Sequence, residues 1–291
     1  MKRALVLISI TAFTIVFAQN TGRIWGAPQD FCLLGDMRID ESSGVAPSRL
    51  KSGVFYTHND SGDKPRFFRF TRDGKVDGVY ELEGIEAWDW EDMASAVVGG
   101  TPYLYLGDIG DNPRIREEIV VHRVKEPTTG GDQKITEFQS YTLRYPDRAH
   151  NCETLFVTST GDIYLVTKTG EDVSGVYTLK APSRSGDYTL RHVRDIPVNT
   201  RGYGGKRVTA GDVSPDGKHV VIRTYRAALE YEVPDNFEDW TKDDPTEVRL
   251  PLEILGEAIC YSKDGKYLLT TSERAPCPVS ILALEGSSTR P

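Results

Sequence analysis

The sequence predicts an all-β fold built from five repeats, and three observations support this prediction. Apolar residues recur in short runs separated by turn residues, and helical periodicity is absent before Asp235. The runs recur in units of about fifty residues, as in repeat architectures. The last unit lacks a strand that the amino-terminal part of the chain is free to supply. Together these features predict a ring of sheets closed on itself.

Each unit opens with an acidic or small-residue motif and continues into a second apolar run. The opening acids are spaced by 50, 62, 59 and 45 residues, an irregularity that repeats tolerate because insertions accumulate in loops. The acids are Glu41, Glu91, Glu153, Asp212 and Glu257. The second runs are GVFYTHND, TPYLYLGD, DIYLVTKT, KHVVIRTY and KYLLTTSE, which begin at residues 53, 101, 162, 218 and 266.

A third apolar run follows in every unit, and a fourth follows in the first four. The fifth unit ends at Leu284, whereas residues 31–34 precede the first unit and are free to complete the last. We therefore predict a five-bladed β-propeller over residues 30–285, closed by an N-terminal strand in the last blade. Such closure removes the exposed edge strand that invites aggregation. Six blades are the alternative.

The chain begins with a signal-peptide pattern. Two basic residues precede an apolar run over residues 4–18, and Val16 and Ala18 are small enough for cleavage after Ala18. The run is shorter than the roughly 20 residues of a spanning helix, and an uncleaved anchor is the alternative. We expect residues 1–18 to be removed and the mature protein to be secreted or periplasmic, without stable membrane insertion.

The charge of the chain restricts its partners. There are 35 Lys and Arg residues against 43 Asp and Glu residues, a net charge of -8, which becomes -10 once the two basic residues of the signal are removed. This sign argues against a general nucleic-acid binder, because phosphate attraction requires basic surface. We expect a monomer that binds a small polar or anionic ligand.

The four cysteines predict at most one structural disulfide. If the closing strand lies beside the outer strand of the last unit, Cys32 lies beside Cys277, and we predict a bridge there. Cys152 and Cys260 would then be free buried thiols; four free thiols or another pairing are the alternatives. The absence of a CxxC motif argues against a structural zinc site.

Two segments interrupt the repeat. Residues 235–244 combine an N-cap candidate with an acidic first turn, and predict a short helix in a loop of the fourth unit. Residues 202–207, GYGGKR, form a Gly-rich loop whose spacing does not match a nucleotide-binding P-loop.

The opening acids predict a ring around one mouth of the tunnel, because inner strands of a propeller begin at the same face. Carboxylates that lie close together cannot all ionise without a cation or basic neighbours. Calcium accepts about six to eight oxygen ligands and suits such a ring. The predicted metal ligands are Glu41, Glu91, Asp92, Asp108, Asp111, Glu153, Asp212 and Glu257. Two alternatives stay open: each acid caps backbone N–H groups of its own blade, or two of them form a glycosidase-like pair.

Residues 88–112 carry the densest set of candidate ligands. Two apolar segments joined by Gly99-Gly100 predict a hairpin whose open ends bring the acids of DWED (89–92) close to DIGDN (108–112). DIGDN and NDSGD (59–63) each place two Asp residues three positions apart around a glycine. Metal or ligand binding is one interpretation, and turns with purely local hydrogen bonds are the other.

The ends of the second strands predict a wider ring of ligand-binding groups. Its members are Asn59, Asp60, Asn112, Lys168, Arg223, Tyr225 and Arg274. We place Lys168, Arg223 and Arg274 at corresponding positions of blades three to five, opposite the acidic loops. A face divided in this way suits a cation together with an anionic group bound to it. Mutual salt bridging is the alternative.

Three residues are catalytic candidates: His58, Asp111 and Glu91. His58 adjoins Asn59 and Asp60 at the predicted rim, where an imidazole is placed to act as a base. A hydrogen-bonded histidine within a strand is the alternative. No GxSxG motif is present, so the sequence does not indicate a serine hydrolase of the α/β type.

Four motifs carry a resemblance to a known group. HNDSG (58–62), DWEDMA (89–94), DIGDN (108–112) and RVKEP (123–127) occur in this order. In these motifs the chain resembles a group of secreted bacterial β-propellers, which are more distantly similar to phytase-like propellers. The resemblance covers most of the mature chain and weakens after residue 153. Phytase-like propellers would imply a calcium-dependent phosphomonoesterase with acidic ligands on one face, although their ligand motifs do not match residue by residue.

From these observations we expect an exported propeller with a metal-supported acidic site, most plausibly for Ca²⁺, that binds a polar or anionic ligand. A calcium-dependent phosphoester hydrolase and a non-catalytic interaction scaffold are the alternatives.

Overall fold

A computed structural model describes residues 23–200 and 205–287, and it confirms the five-bladed propeller. The predicted signal peptide, residues 1–18, and the first residues of the Gly-rich loop lie outside the described residues. Within those ranges, no helix is long and apolar enough to cross a membrane.

Five antiparallel blades make up the ring, each numbered here from its inner strand outward. Blade one contains β2 (Ser42–Pro47), β3 (Val54–Asn59), β4 (Arg66–Thr71) and β5 (Val76–Leu82). Blade two contains β6 (Trp90–Val98), β7 (Thr101–Asp108), β8 (Ile119–Lys125) and β10 (Phe138–Arg144). Blade three contains β11 (Cys152–Val157), β12 (Ile163–Thr167), β13 (Val173–Leu179) and β15 (Arg191–Pro197). Blade four contains β16 (Val208–Val213), β17 (His219–Thr224), β18 (Ala227–Glu232) and β19 (Thr246–Arg249). Blade five contains β20 (Gly256–Tyr261), β21 (Tyr267–Ser272), β22 (Cys277–Ala283) and β1 (Gln29–Leu34).

The N-terminal strand closes the ring as predicted. Strand β1 pairs antiparallel with β22, the third strand of blade five, and Trp25 forms a further bridge to Leu284. The first and last segments of the fold therefore lie in one sheet, and neither edge of that sheet arises from an interrupted repeat.

The predicted Cys32–Cys277 disulfide is not formed, and all four cysteines are free. Cys32 pairs with Val279 and Cys277 pairs with Leu34, so the two cysteines are diagonal neighbours rather than direct partners. Diagonal residues lie about 7–8 Å apart, beyond the usual Cα separation of a disulfide. Cys152 and Cys260 are free and buried, as expected.

Two short strands were not predicted. Strand β9 (Gln133–Ile135) leaves blade two and adds a parallel fifth strand to blade one, next to β5. Strand β14 (Gly186–Thr189) leaves blade three and adds to blade two, next to β10. The sequence analysis assigned residues 188–193 to one fourth strand, whereas β14 and β15 divide them. In both cases, a connection from one blade covers the outer edge of its neighbour.

The predicted helix in blade four is a single 3-10 turn, Phe237–Asp239, capped by the side chain of Asn236. Phe237 packs on Phe156 and Tyr164 of blade three. This turn therefore covers blade three in the position where β9 and β14 cover blades one and two.

The apolar core is divided into five clusters, one in each gap between adjacent blades. The hairpin turn of blade two has positive φ angles at Gly99 (58°) and Gly100 (80°), as a two-residue turn of this type requires. Packing between blades fixes the inner strands around a central channel, and the ends of these strands form the two mouths of that channel.

Candidate functional site at the acidic mouth

A β-bulge in each inner strand sets which residues are equivalent between blades. The extra residue of the bulge lies near the start of the inner strand, opposite the end of the second strand. These residues are Ser43, Glu91, Glu153, Thr209 and Glu257. The ring of acids thus has three glutamates, in blades two, three and five, and two hydroxyl residues.

The predicted ring was wrong for Glu41 and Asp212, because spacing along the sequence does not reveal where a bulge adds a residue. Ser43 Oγ donates to the carbonyl oxygen of Glu91 at 2.6 Å, and Thr209 Oγ1 donates to that of Gly256 at 3.2 Å. In blades one and four, the bulge position therefore joins neighbouring blades instead of adding charge.

Glu41 precedes blade one and is the counterpart of Asp89. Its carbonyl oxygen accepts from the amide of Asp60, as the carbonyl oxygen of Asp89 accepts from Ile109. The Glu41 side chain is exposed. Burial and the nearby charge of Asp60 raise the pKa of Glu41, so this carboxylate belongs to the rim and not to the inner ring.

Asp92 and Asp212 lie deeper, inside the channel, and connect blades through backbone amides. Asp92 Oδ2 accepts from Leu155 N at 2.9 Å and from Gly211 N at 3.3 Å, and Asp212 Oδ2 accepts from Tyr261 N at 2.9 Å. Burial raises the pKa of Asp92 well above its usual range and that of Asp212 to about 6. These contacts support the structural interpretation of both residues.

Three carboxylates converge at the mouth between blades one and two. One oxygen each from Asp60, Asp89 and Glu91 lies within 4.8 Å of the others. Glu91 is buried, whereas Asp60 and Asp89 are half-buried. Burial, followed by the charges of Asp60 and Glu153, raises the pKa of Asp89 to about 6. We call these three side chains the carboxylate triad.

Gly110 closes over the triad. A Cβ atom at this position would lie 2.3 Å from Glu91 Oε1 and 2.4 Å from Asp89 Oδ2. The amides of Ile109 and Gly110 both donate to the carbonyl oxygen of Asp89 at 3.1 Å. Any side chain at residue 110 would therefore displace the carboxylates. The sequence analysis missed Gly110 and did not predict Asp89 as a metal ligand.

The two acids of DIGDN organise this loop. Asp108 accepts from Trp88 N at 3.0 Å and Asp89 N at 3.2 Å, and forms an ion pair with Arg116 at 2.8 Å. Asp108 thereby fixes the backbone that presents Asp89.

Asp111 accepts from Ile115 N at 3.0 Å and from Arg116 N at 2.8 Å. Asn112 is exposed and accepts from Asn151 Nδ2 at 3.2 Å. The structure does not bring Asp108 or Asp111 into the triad, and their local hydrogen bonds match the second interpretation of this motif.

A second group of polar side chains lies across the mouth, in blades three to five. Lys168 Nζ contacts Glu153 Oε2 at 2.9 Å and Tyr225 OH at 3.0 Å. Burial opposes the charge of Lys168, but Glu153, Glu257 and Tyr225 outweigh it and raise the pKa of Lys168. Glu153 also accepts from Asn151 Nδ2 at 2.9 Å. Lys168 is therefore consumed by its acidic neighbours.

Glu257 is the carboxyl group of this second set with spare bonding capacity. Its Oε2 atom is buried and has no hydrogen-bond partner within the described part of the chain. Burial raises the pKa of Glu257 to about 8, against the opposing effects of Lys168 and Tyr225. Burial and the charge of Asp60 raise the pKa of Glu273 to about 7. Protons or a cation must therefore stabilise this mouth at neutral pH.

The wider ring also differs from the prediction. The positions directly after the second strands are Asp60, Ile109, Lys168, Tyr225 and Glu273. Lys168, Arg223 and Arg274 are thus not equivalent, because their strands end at different residues.

Arg223 is buried and pairs with Glu253 at 2.5 Å, while Nη1 donates to the carbonyl oxygen of Ala258 at 2.7 Å. Arg274 is exposed. The predicted basic half of the face is not a set of free cations, and for Lys168 and Arg223 the geometry matches mutual salt bridging.

His58 and Asn59 are structural in the same sense. His58 is fully buried, and burial lowers the pKa of its imidazole. Its Nδ1 contacts the carbonyl oxygen of Asn59 at 2.8 Å, and its ring packs edge-on against Trp90. Asn59 donates to the carbonyl oxygen of Arg38 at 2.7 Å and to Asp63 Oδ2 at 2.9 Å. A buried imidazole in this position does not reach the mouth.

Comparisons with known proteins place the chain in a class by its fold. No protein-family model and no curated protein matches the sequence. Among solved structures, the chain is similar to the PQQ-bound form of an aldose sugar dehydrogenase from Streptomyces coelicolor. The TM-score is 0.51 and the identity is 11%, over 89% of this chain and 98% of that one.

A gluconolactonase from Xanthomonas campestris is also similar, with a TM-score of 0.44 and 11% identity, over 79% of this chain and 68% of that one. At these identities the comparisons support the β-propeller fold and carry no assignment of activity.

Proposed function

We propose that this chain is an exported propeller whose acidic mouth holds a hard divalent cation, most plausibly Ca²⁺, and uses it to bind a small polar or anionic ligand. The convergence of the carboxylate triad beneath Gly110 carries the proposal. The chain acts as a monomer outside the cytoplasm, in keeping with the signal-peptide pattern.

The donor atoms fit calcium. Asp60, Asp89 and Glu91 supply carboxylate oxygens, the ligands that hard cations prefer, from two blades and a loop. Three side chains do not complete a coordination shell of about six to eight oxygens. The remaining positions are left for water and for a ligand oxygen that enters from the mouth.

The raised pKa values give the cation an energetic role. Burial raises the pKa of Glu91 well above its usual range, and the charges of Glu153, Asp60 and Asp89 add to this effect. A divalent cation in contact with these oxygens stabilises their ionised forms. Cation binding therefore relieves repulsion that the fold has built into the mouth.

The ligand reaches the protein through the cation. Lys168 is paired with Glu153, and Arg223 is buried against Glu253, so neither is free to bind an anion directly. A carboxylate, a phosphate or a pair of hydroxyl groups is able to complete the shell of a calcium ion. The proposed ligand class is therefore small molecules with such oxygen groups.

A thermal melt of the full mature chain tests the proposal. Calcium should raise the midpoint and EDTA should reverse the increase, because a ligand that binds the native state stabilises it. Asp60→Asn should abolish the increase. Glu273→Gln is the matched control, since Glu273 occupies the equivalent position of blade five and lies outside the triad. An unchanged midpoint in wild-type protein, with and without calcium, would contradict the proposal.

Glu257 favours a second candidate, a calcium-dependent phosphoester hydrolase. Its carboxyl group keeps a proton near neutral pH and has an unpartnered oxygen at the mouth. Such a group suits a general acid that protonates a leaving oxygen. A phosphomonoester assay with and without calcium tests this candidate, and Glu257→Gln should remove calcium-dependent turnover but leave calcium binding intact. If the assay detects no turnover, the binding function or an interaction scaffold remains.

A further inference from the structure

The opposite mouth of the channel contains a cavity of about 440 Å³. The inner strands begin at the acidic mouth and end here, and every blade contributes to the lining. The lining includes Arg49 of blade one, Ser95 of blade two, Thr158 of blade three, Ser214 of blade four and Lys263 of blade five. This axial cavity is separated from the carboxylate triad by the length of the inner strands.

Arg49 is held in place at the edge of the cavity. Its Nε and Nη2 atoms donate to the carbonyl oxygen of Ser95 at 3.1 and 2.8 Å, and the guanidinium has further N–H donors beyond these two. Within the described part of the chain, no carboxylate forms an ion pair with Arg49 or Lys263; Lys263 Nζ donates to the carbonyl oxygen of Leu50 at 3.0 Å. The cavity therefore has positive charge that is not neutralised by direct pairing.

Glu126 fixes the loop that carries Arg49. This buried carboxylate accepts from Arg49 N at 2.9 Å, from Leu50 N at 3.4 Å and from Tyr56 OH at 3.3 Å, and it also accepts from Ser48 Oγ. Glu126 belongs to the RVKEP motif, which the acidic mouth does not explain. Its contacts give Arg49 a defined position before any ligand arrives, which lowers the entropic cost of binding.

Two further observations indicate a ligand with both polar and apolar parts. The Oγ atom of Ser95, a residue only 2% exposed, has no hydrogen-bond partner among the described residues. The carboxylates at the cavity are engaged locally: Asp162 bonds Lys180 at 3.0 Å, and Asp216 accepts from Ser214 Oγ at 2.5 Å. Apolar side chains complete the lining: Ala96, Val157, Val213 and Phe237.

We propose that the axial cavity is a second binding site, which takes a small organic anion bearing a carboxylate or phosphate group. Arg49 anchors the anion, and Lys263 adds positive charge at the rim. Ser95 Oγ donates to the bound molecule, whose body packs on the apolar part of the lining. The site is independent of the carboxylate triad and of any cation there.

Calorimetric titration of the full mature chain in EDTA, at constant ionic strength, tests this site. The probes are inorganic phosphate and gluconate, with neutral glucose as the control. We expect saturable binding of at least one anion and none of glucose. Arg49→Gln should weaken that binding by about tenfold or more, because charge-assisted contacts to the anion are lost. Arg184→Gln, an exposed arginine outside the lining, should bind as wild type.

The outcomes separate this site from the acidic mouth. Glu91→Gln should leave anion binding unchanged; binding that is lost in Glu91→Gln but kept in Arg49→Gln would assign the anion to the acidic mouth and overturn the inference. Absence of saturable binding by either anion would also overturn it. If Arg49→Gln does not fold, Lys263→Gln decides: weaker binding supports the site, and wild-type affinity contradicts it.

Discussion

The carboxyl groups of Glu91 and Glu153 are hydrogen-bonded to one another at equivalent positions of adjacent blades. Such a bond requires a proton, and Lys168, 2.9 Å from Glu153, favours the ionised form of Glu153. The proton therefore resides on Glu91. Because Glu91 is also part of the carboxylate triad, a cation that binds there must displace this proton.

Calcium affinity should consequently increase with pH. Burial, together with the neighbouring acids, raises the pKa of Asp89 to about 6 and that of Glu91 further, so protons compete with the cation at and above this pH. We expect weaker binding at pH 5 than at pH 8 and net proton release on binding. Titrations in buffers of different ionisation enthalpy measure the release; a pH-independent affinity would contradict the shared proton.

Without a cation, stability should fall as pH rises. Glu257 has a folded-state pKa of about 8 against 4.5 for the free group. The folded state thus holds its proton more tightly, and the stabilisation present below pH 4.5 is lost as pH rises through 8. Urea denaturation in EDTA at a series of pH values measures this slope. Glu257→Gln should flatten it and the exposed control Glu137→Gln should not; equal slopes would refute this role of Glu257.

Gly110→Ala should remove calcium binding while every carboxylate remains. The added Cβ would approach Glu91 Oε1 to 2.3 Å and Asp89 Oδ2 to 2.4 Å, and separating these oxygens breaks the triad. We expect affinity to fall by at least about tenfold. Calorimetry measures the change, and circular dichroism confirms folding. Gly35→Ala is the control, because no atom lies within 4 Å of its Cβ position. Unchanged affinity in Gly110→Ala would mean that the cation does not bind the triad.

Gly256 should be essential for a different reason. A Cβ atom there would lie 1.6 Å from Arg223 Nη2, and the buried Arg223–Glu253 pair has no room to move. Breaking a buried ion pair costs about 3 to 5 kcal/mol. Gly256→Ala should therefore lower the free energy of unfolding by this amount, whereas Gly35→Ala should change it by less than about 0.5 kcal/mol. Chemical denaturation compares the two, and equal values would show that Arg223 is not confined.

The ring architecture could be predicted because it follows from counting strands. The acid-led units and the missing fourth strand after Leu284 were sufficient to place β1 in blade five. Register could not be predicted in the same way. A single extra residue at Ser43 or Thr209 moves Glu41 and Asp212 out of the ring, and nothing in the spacing signals a bulge.

The candidate site was predicted in location but not in membership. Asp60 and Glu91 were correctly placed at the mouth, whereas Asp108 and Asp111 were drawn in by their spacing around Gly110. Their carboxylates bind backbone amides of the same loop. The glycine itself was the informative residue, since a position that tolerates no Cβ indicates a close approach. Short strands such as β9 also escape prediction, because three exposed residues carry no hydrophobic pattern.

The central claim is that Asp60, Asp89 and Glu91 together hold one cation. Calorimetric titration of metal-free protein with calcium tests it most directly, with Asp60→Asn and Glu273→Gln measured in parallel. We predict a single saturable site in wild-type protein, loss of at least about tenfold in affinity in Asp60→Asn, and a much smaller loss in Glu273→Gln, which removes equal charge outside the triad. Absence of binding, or equal losses in the two variants, would contradict the claim.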